Sequence, residues 1–168
     1  AAAQTKPDQR TLVVTTTAAI TTMNPYAESS SQFYSTWCQV YGCLGRYNYQ
    51  TKNYEGVLAE KWAVINDRTW RFTLRSDIPR HDGGPPPTSK DVIHSWQRAL
   101  NDPASLQRFL FSEIEKIEAV DDRTFDVVTK RPLAPLLSYL FDRFAITSAD
   151  LHAKHGAAAD REAHVGWG

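Results

Sequence analysis

Apolar positions along this chain change their spacing from one stretch to the next, and the spacing predicts the elements. Thr11 to Thr17 (TLVVTTT) is β-branched and unbroken, the pattern of a strand buried on both faces as in a parallel sheet. Such a strand needs neighbours on both sides, and a side left open is an edge that invites self-association. A turn at Asn24 and Pro25 follows. The serines Ser29, Ser30 and Ser31 then offer N-cap hydroxyls for a helix predicted over Gln32 to Leu44. Phe33, Trp37, Val40, Tyr41 and Leu44 recur at helical spacing on one face, and Gly45 is a natural stop.

After a polar loop, two segments resemble each other. Ala63 to Arg75 reads AVINDRTWRFTLR and Glu118 to Lys130 reads EAVDDRTFDVVTK. Both present a strand, an Asx-Asp-Arg-Thr turn, an aromatic residue and a second strand. Trp70, Phe72 and Leu74 alternate with Arg71, Thr73 and Arg75, the period of a sheet with one wet face. Phe125 and Val127 alternate with Asp126, although Val128 breaks the pattern. Each segment predicts a β-hairpin. Two hairpins are expected to pair into one antiparallel sheet, because a lone hairpin is marginal in water.

Between them, the Gly and Pro pairs of Pro79 to Pro87 exclude regular structure. Thr88 then opens a helix with Asp91 in the capping-box position. Val92, Trp96 and Ala99 or Leu100 give its apolar stripe, and Asn101, Asp102 and Pro103 end it. A helix over Ala134 to Phe141 follows, then a short one capped by Ser148 and ending at Gly156. The expected class is α+β, with helices against a sheet.

Composition narrows the function. The formal net charge is zero across 168 residues, so no basic field exists to hold nucleic acid. No run approaches the ~20 apolar residues that span a bilayer. The start, Ala1 to Arg10, lacks the charged and apolar regions of a signal peptide, and its opening through Asp8 matches what remains after a small-residue cleavage site or a tag. Cys38 and Cys43 stand five apart, the wrong spacing for one helix face. A disulfide requires the helix to end between them, and the other reading is two small buried hydrophobes.

Candidate chemistry is thin. His152 and His155 stand at a chelating spacing, but two ligands without a third do not hold a metal. His81 and Asp82 are adjacent and no Gly-x-Ser-x-Gly motif is present, which leaves a hydrolase without a nucleophile. The Gly83 to Pro87 stretch has too few amide donors to cradle phosphate. No catalytic residue, metal or cofactor is assigned.

The order of several blocks resembles the family 5 solute-binding proteins, the receptors of ABC importers. The blocks are Met23-Asn24-Pro25, Val40 to Tyr47, Leu58 to Trp62, Thr69 to Arg75, His81-Asp82-Gly83 with Thr88 and Asp91-Val92, Ser95 to Arg98, Asp121 to Phe125, and Val165 to Gly168. Departures are Gly42-Cys43 where the family has Glu-Gly, Asn24 where it has Asp, and one extra proline in Pro85 to Pro87. The resemblance implies a periplasmic binding protein-like fold of type II, peptide-binding class: an α+β inserted domain plus part of an α/β lobe. It implies residues 1–45 as the first segment of main lobe I, 46–160 as the inserted domain and 161–168 as the start of the return. The rest of the receptor is then absent, since family members run to several hundred residues.

Carried over from the family, Glu28, Ser29, Ser30 and Ser31 line the cleft in which a ligand is captured by two-lobe closure. Helix capping is the other reading of the serines. The implied ligand is a peptide, or another small solute such as nickel or haem, and the implied partners are the membrane subunits of an ABC importer. A sensor of the same fold joined to a DNA-binding region is the alternative, and no basic helix-turn-helix precedes Thr11. The implied location is periplasmic or extracellular, with a lipoprotein anchor if the precursor carries a lipobox.

Overall fold

The computed structural model describes residues 21–28, 30–159 and 165–168. The strand expected over Thr11 to Thr17 lies outside them, as does Ser29. In chain order the elements are helix α1 (Ser31–Val40), strands β1 (Gly45–Asn48), β2 (Asn53–Gly56), β3 (Ala59–Asn66) and β4 (Thr69–Leu74), and helices α2 (Ser89–Asn101) and α3 (Arg108–Phe111). Strands β5 (Ile114–Ala119) and β6 (Thr124–Thr129) and helices α4 (Leu136–Asp142) and α5 (Ala149–His155) complete it, with one 3-10 turn at Gly156–Ala158.

The two similar hairpins do share a sheet. Its order is β3-β4-β6-β5, all antiparallel, so the hairpins meet through their second strands. Phe72 lies opposite Phe125 in the β4–β6 register. Both are fully buried and their rings stack with centroids 5.4 Å apart. On the wet face Arg71 grips Asp126 through two bonds of 2.7 and 2.8 Å. Alternation of face along the strands therefore does what it predicts: aromatic and aliphatic residues enter the core and the charged pair stays outside.

Helix α2 packs against β5, α3 and α5. Its N-terminus is closed by Asp91, whose Oδ2 accepts from the Thr88 amide at 2.8 Å and from the Thr88 hydroxyl at 2.7 Å. The other oxygen of Asp91 accepts from the Ala149 amide at 2.8 Å, so one carboxylate serves two helix starts. Trp96, expected in the buried stripe, is only half-buried. The centre of that face is instead Val92, Ser95 and Ala99, because the Ser95 hydroxyl bonds to the Thr147 amide at 2.8 Å and brings the following chain down beside it.

Two further expectations change. Helix α1 ends at Val40 rather than Leu44. Gly42 adopts φ 90°, where an L side chain is strained, and a Cβ there would meet Leu58 Cδ1 at 2.8 Å. The chain turns at that point, Cys43 bridges to Ala145, and Cys38 and Cys43 form a disulfide with Cα atoms 4.9 Å apart. Gly45 begins a strand instead of stopping a helix, and the expected polar loop contains the β1–β2 hairpin. That hairpin is pinned by aromatic contacts: Tyr47 against Tyr54 at 5.3 Å and Tyr54 against Phe141 of α4 at 5.4 Å.

Candidate ligand-binding site

The stretch leading into α1 is an irregular loop, yet it is tightly held. Asn24 Oδ1 accepts from the Tyr26 amide at 3.0 Å and its Nδ2 donates to Asp102 at 2.8 Å. An Asx turn of this kind replaces backbone pairing that a loop lacks. Tyr26 is fully buried, donates its hydroxyl to Ala145 O at 2.8 Å, and lies under the Arg98 guanidinium at 5.2 Å. The hydroxyl of Tyr41 in turn donates to Met23 O at 2.8 Å.

From the other side, the loop between α2 and α3 closes on the same stretch. The Leu106 amide donates to Tyr26 O at 2.9 Å. Gln107, 1% exposed, donates from Nε2 to Pro25 O at 2.7 Å and to Glu28 O at 3.1 Å. Its neighbours Leu106 and Phe109 are 55% and 69% exposed. A fixed backbone that reaches Glu28 is thus tied to a segment carrying two exposed apolar side chains, a combination of polar and apolar groups of the kind a binding surface uses.

The four residues carried over from the family fare differently. Glu28 is half-buried and accepts from the Thr21 hydroxyl at 3.0 Å. Ser30 occupies the N-cap position of α1 in an extended conformation, but its hydroxyl makes no capping bond. Plain capping is therefore not what Ser30 does here. Ser31 opens the helix, and Ser29 is outside the described residues. Leu106, Gln107 and Phe109 escaped the sequence reading. One signal was available: Leu106, Phe109, Leu110 and Phe111 put four large apolar residues around a helix of four residues, more than so short an element can bury.

The weaker sequence candidates are otherwise engaged. His81 Nε2 lies 2.7 Å from Gly168 O, and Asp82 is bound by Arg80 at 2.8 and 3.1 Å. That guanidinium, with the Gly84 amide, holds the Asp82 carboxyl below its usual range. The His152 ring meets that of His94. Among the described residues no three His, Cys, Asp or Glu side chains are grouped to hold a metal, and no helix is long and apolar enough to cross a membrane. A recess of about 610 Å³ lies beside the disulfide, lined by Tyr34, Cys38, Tyr47, Phe141, Asp142 and Arg143 among others. Burial there raises the Asp142 carboxyl above its usual range, against a bond from the Tyr47 amide.

Residues 53–167 match the profile of the bacterial extracellular solute-binding proteins, family 5 Middle. The chain belongs to family 5. Among its relatives, the periplasmic oligopeptide-binding protein OppA of Salmonella typhimurium is 33% identical over 95 residues, 45% of this chain and 17% of OppA. The HTH-type transcriptional regulator SgrR of Photorhabdus laumondii is 34% identical over 94 residues, 56% of this chain and 16% of SgrR. The structure of the binding protein MoaA of A. tumefaciens in complex with mannopinic acid superposes with a TM-score of 0.76 at 27% identity, covering 88% of this chain and 31% of MoaA. The chain thus spans less than a third of each of these proteins. The fold is that of part of one lobe of a type II periplasmic binding protein, an α+β mixture. By its description the matched family is one of extracellular solute-binding proteins.

Proposed function

We propose that this chain supplies one wall of the ligand cleft in a peptide-capturing receptor of an ABC importer, working outside the cytoplasmic membrane and without converting what it binds. In this reading 1–45 belong to the main lobe, 46–160 to the inserted domain, and 161–168 begin the return. The wall consists of Glu28, Ser29, Ser30 and Ser31, extended by Leu106 and Phe109. The observation that carries it is the Gln107 clamp, which joins the Glu28 backbone to the loop of exposed apolar residues.

The chemistry suits an extended peptide. Backbone and hydroxyl groups pair with a main chain, the Glu28 carboxylate receives a cationic group, and Leu106 with Phe109 covers apolar side chains. Closure of the opposite lobe completes the site and expels water, and the closed state is selected by its differential affinity. Calorimetry with a pool of di- to pentapeptides on the full-length receptor tests this, with mass spectrometry of the recovered peptides. Binding of intact peptides, weakened at least tenfold by Phe109→Ala and by Glu28→Gln, is expected. Cleaved peptides, or unchanged affinity in both variants, would overturn the reading.

A further inference from the structure

The end of α4, strand β1 and the middle of α1 line the recess of about 610 Å³ beside the Cys38–Cys43 bridge. That size falls among the ~300–1,000 Å³ sites that hold small molecules. None of its described lining residues belongs to the cleft wall proposed above. Its apolar surface is aromatic. Tyr49, 85% exposed, stands edge-on to Tyr47 with ring centroids 5.1 Å apart, and Phe141 is fully buried behind them.

Opposite charges line the same recess. Asp142, the last residue of α4, is half-buried and accepts from the Tyr47 amide. Arg143 follows it and lays its guanidinium over the Tyr34 ring at 5.0 Å from the centroid. The Arg143 charge draws the Asp142 carboxyl down in part, but burial outweighs it and the group stays above its usual range. Among the described residues neither Asp142 nor Arg143 has an ion-pair partner. Arg46, the remaining charge of the lining, is already matched by Glu55 at 3.3 Å.

We propose that this recess is a second binding site, which takes a free amino acid with an aromatic side chain. The ligand's ammonium group bonds to Asp142, its carboxylate meets Arg143, and its ring lies against Tyr47 and Tyr49. The proposal is independent of what the cleft captures. A carboxylate drawn partly out of water gains most from a charged donor. A monocation would answer Asp142 and leave Arg143 repelling it, and a monoanion would do the reverse. A ligand with both charges leaves neither unmatched. Asp142 and Arg143 are neighbours in the chain and feel each other's charge, which fits the adjacent charges of one amino acid rather than the separated ends of an extended peptide. The tyrosine rings add apolar contact and ring-on-ring packing.

The test is an NMR titration of the amide signals of this chain at neutral pH with L-phenylalanine, phenethylamine and 3-phenylpropanoate. The second probe lacks the carboxylate and the third lacks the ammonium group. Saturable shifts over 47–49 and 141–143 are expected with L-phenylalanine, and binding at least tenfold weaker with each of the other two. Asp142→Asn should remove the advantage of phenylalanine over 3-phenylpropanoate, and Arg143→Gln its advantage over phenethylamine. The unaltered chain decides alone if a variant does not fold. No saturable shift at millimolar phenylalanine, equal binding of the three probes, or preferences retained in the folded variants would overturn the proposal. So would shifts confined to 26–28 and 106–109, which would leave the reading of the cleft intact.

Discussion

Reducing the Cys38–Cys43 bridge removes a staple between the end of α1 and the bend that leads into β1. The loop it closes is short, with a sequence separation of 5. The chain-entropy relation then gives about 2 kcal/mol of stabilisation, acting through the unfolded state. Little compensates in the folded state, because Cys43 is 1% exposed within the cluster of Phe33, Trp37 and Tyr41. Helix α1 keeps its packing through Phe33, Trp37 and Tyr41, so reduction should weaken the fold without dissolving the helix. With a urea slope of about 2 kcal/mol per molar, typical of a small protein, the midpoint falls by about 1 M. Parallel urea curves with and without reductant, followed by tryptophan fluorescence, measure this, and Cys38→Ala/Cys43→Ala repeats it free of reductant. Midpoints within 0.2 M of one another, against the ~1 M shift expected, would refute the loop-closure reasoning.

Two aromatic truncations separate the core from its margin. Phe72→Ala, at the centre of the stacked pair, should cost about 3–5 kcal/mol, whereas half-buried Trp96→Ala should cost about half as much; equal losses in urea denaturation would show that α2 packs more deeply than described. Arg80→Met removes a guanidinium that is 8% exposed and bonded to Asp82, Ser148 and Asp150. Its partners Asp82 and Asp150 reach water, so the loss should stay at about 1–3 kcal/mol. It should appear first as exchange of the α5 amides, and unchanged α5 protection would count against the cross-link.

Local pattern carried much of this fold. The Thr88–Asp91 box and the paired hairpins were legible because each rests on residues within a few positions of one another. Hairpin β1–β2 was not: Tyr47 alternates with Arg46 and Asn48, and Tyr54 with Asn53 and Glu55, but strands of four residues without a β-branched side chain give little signal, and Tyr54 docks on Phe141 from far along the chain. The end of α1 was misjudged because the helical spacing of Leu44 continues past a glycine whose conformation breaks the helix. For the site, the family resemblance pointed to Glu28 and the serines. The Gln107 contact with Pro25 spans 82 positions, and no periodicity encodes a partner at that distance.

Contacts of such separation also set the order in which the molecule assembles. The Tyr26–Ala145 bond spans 119 positions, and the Trp167 amide donates to Tyr41 O at 3.1 Å, where Gly166 alone leaves room for the two backbones to approach. Hairpins and helices close short loops and can form within microseconds, whereas this seam must await the docking of nearly everything between its ends. A seam made last contributes little to the folding barrier. Substitutions along Tyr26, Tyr41 and Trp167 will therefore act on how fast the protein comes apart far more than on how fast it forms, which makes this line the determinant of its lifetime.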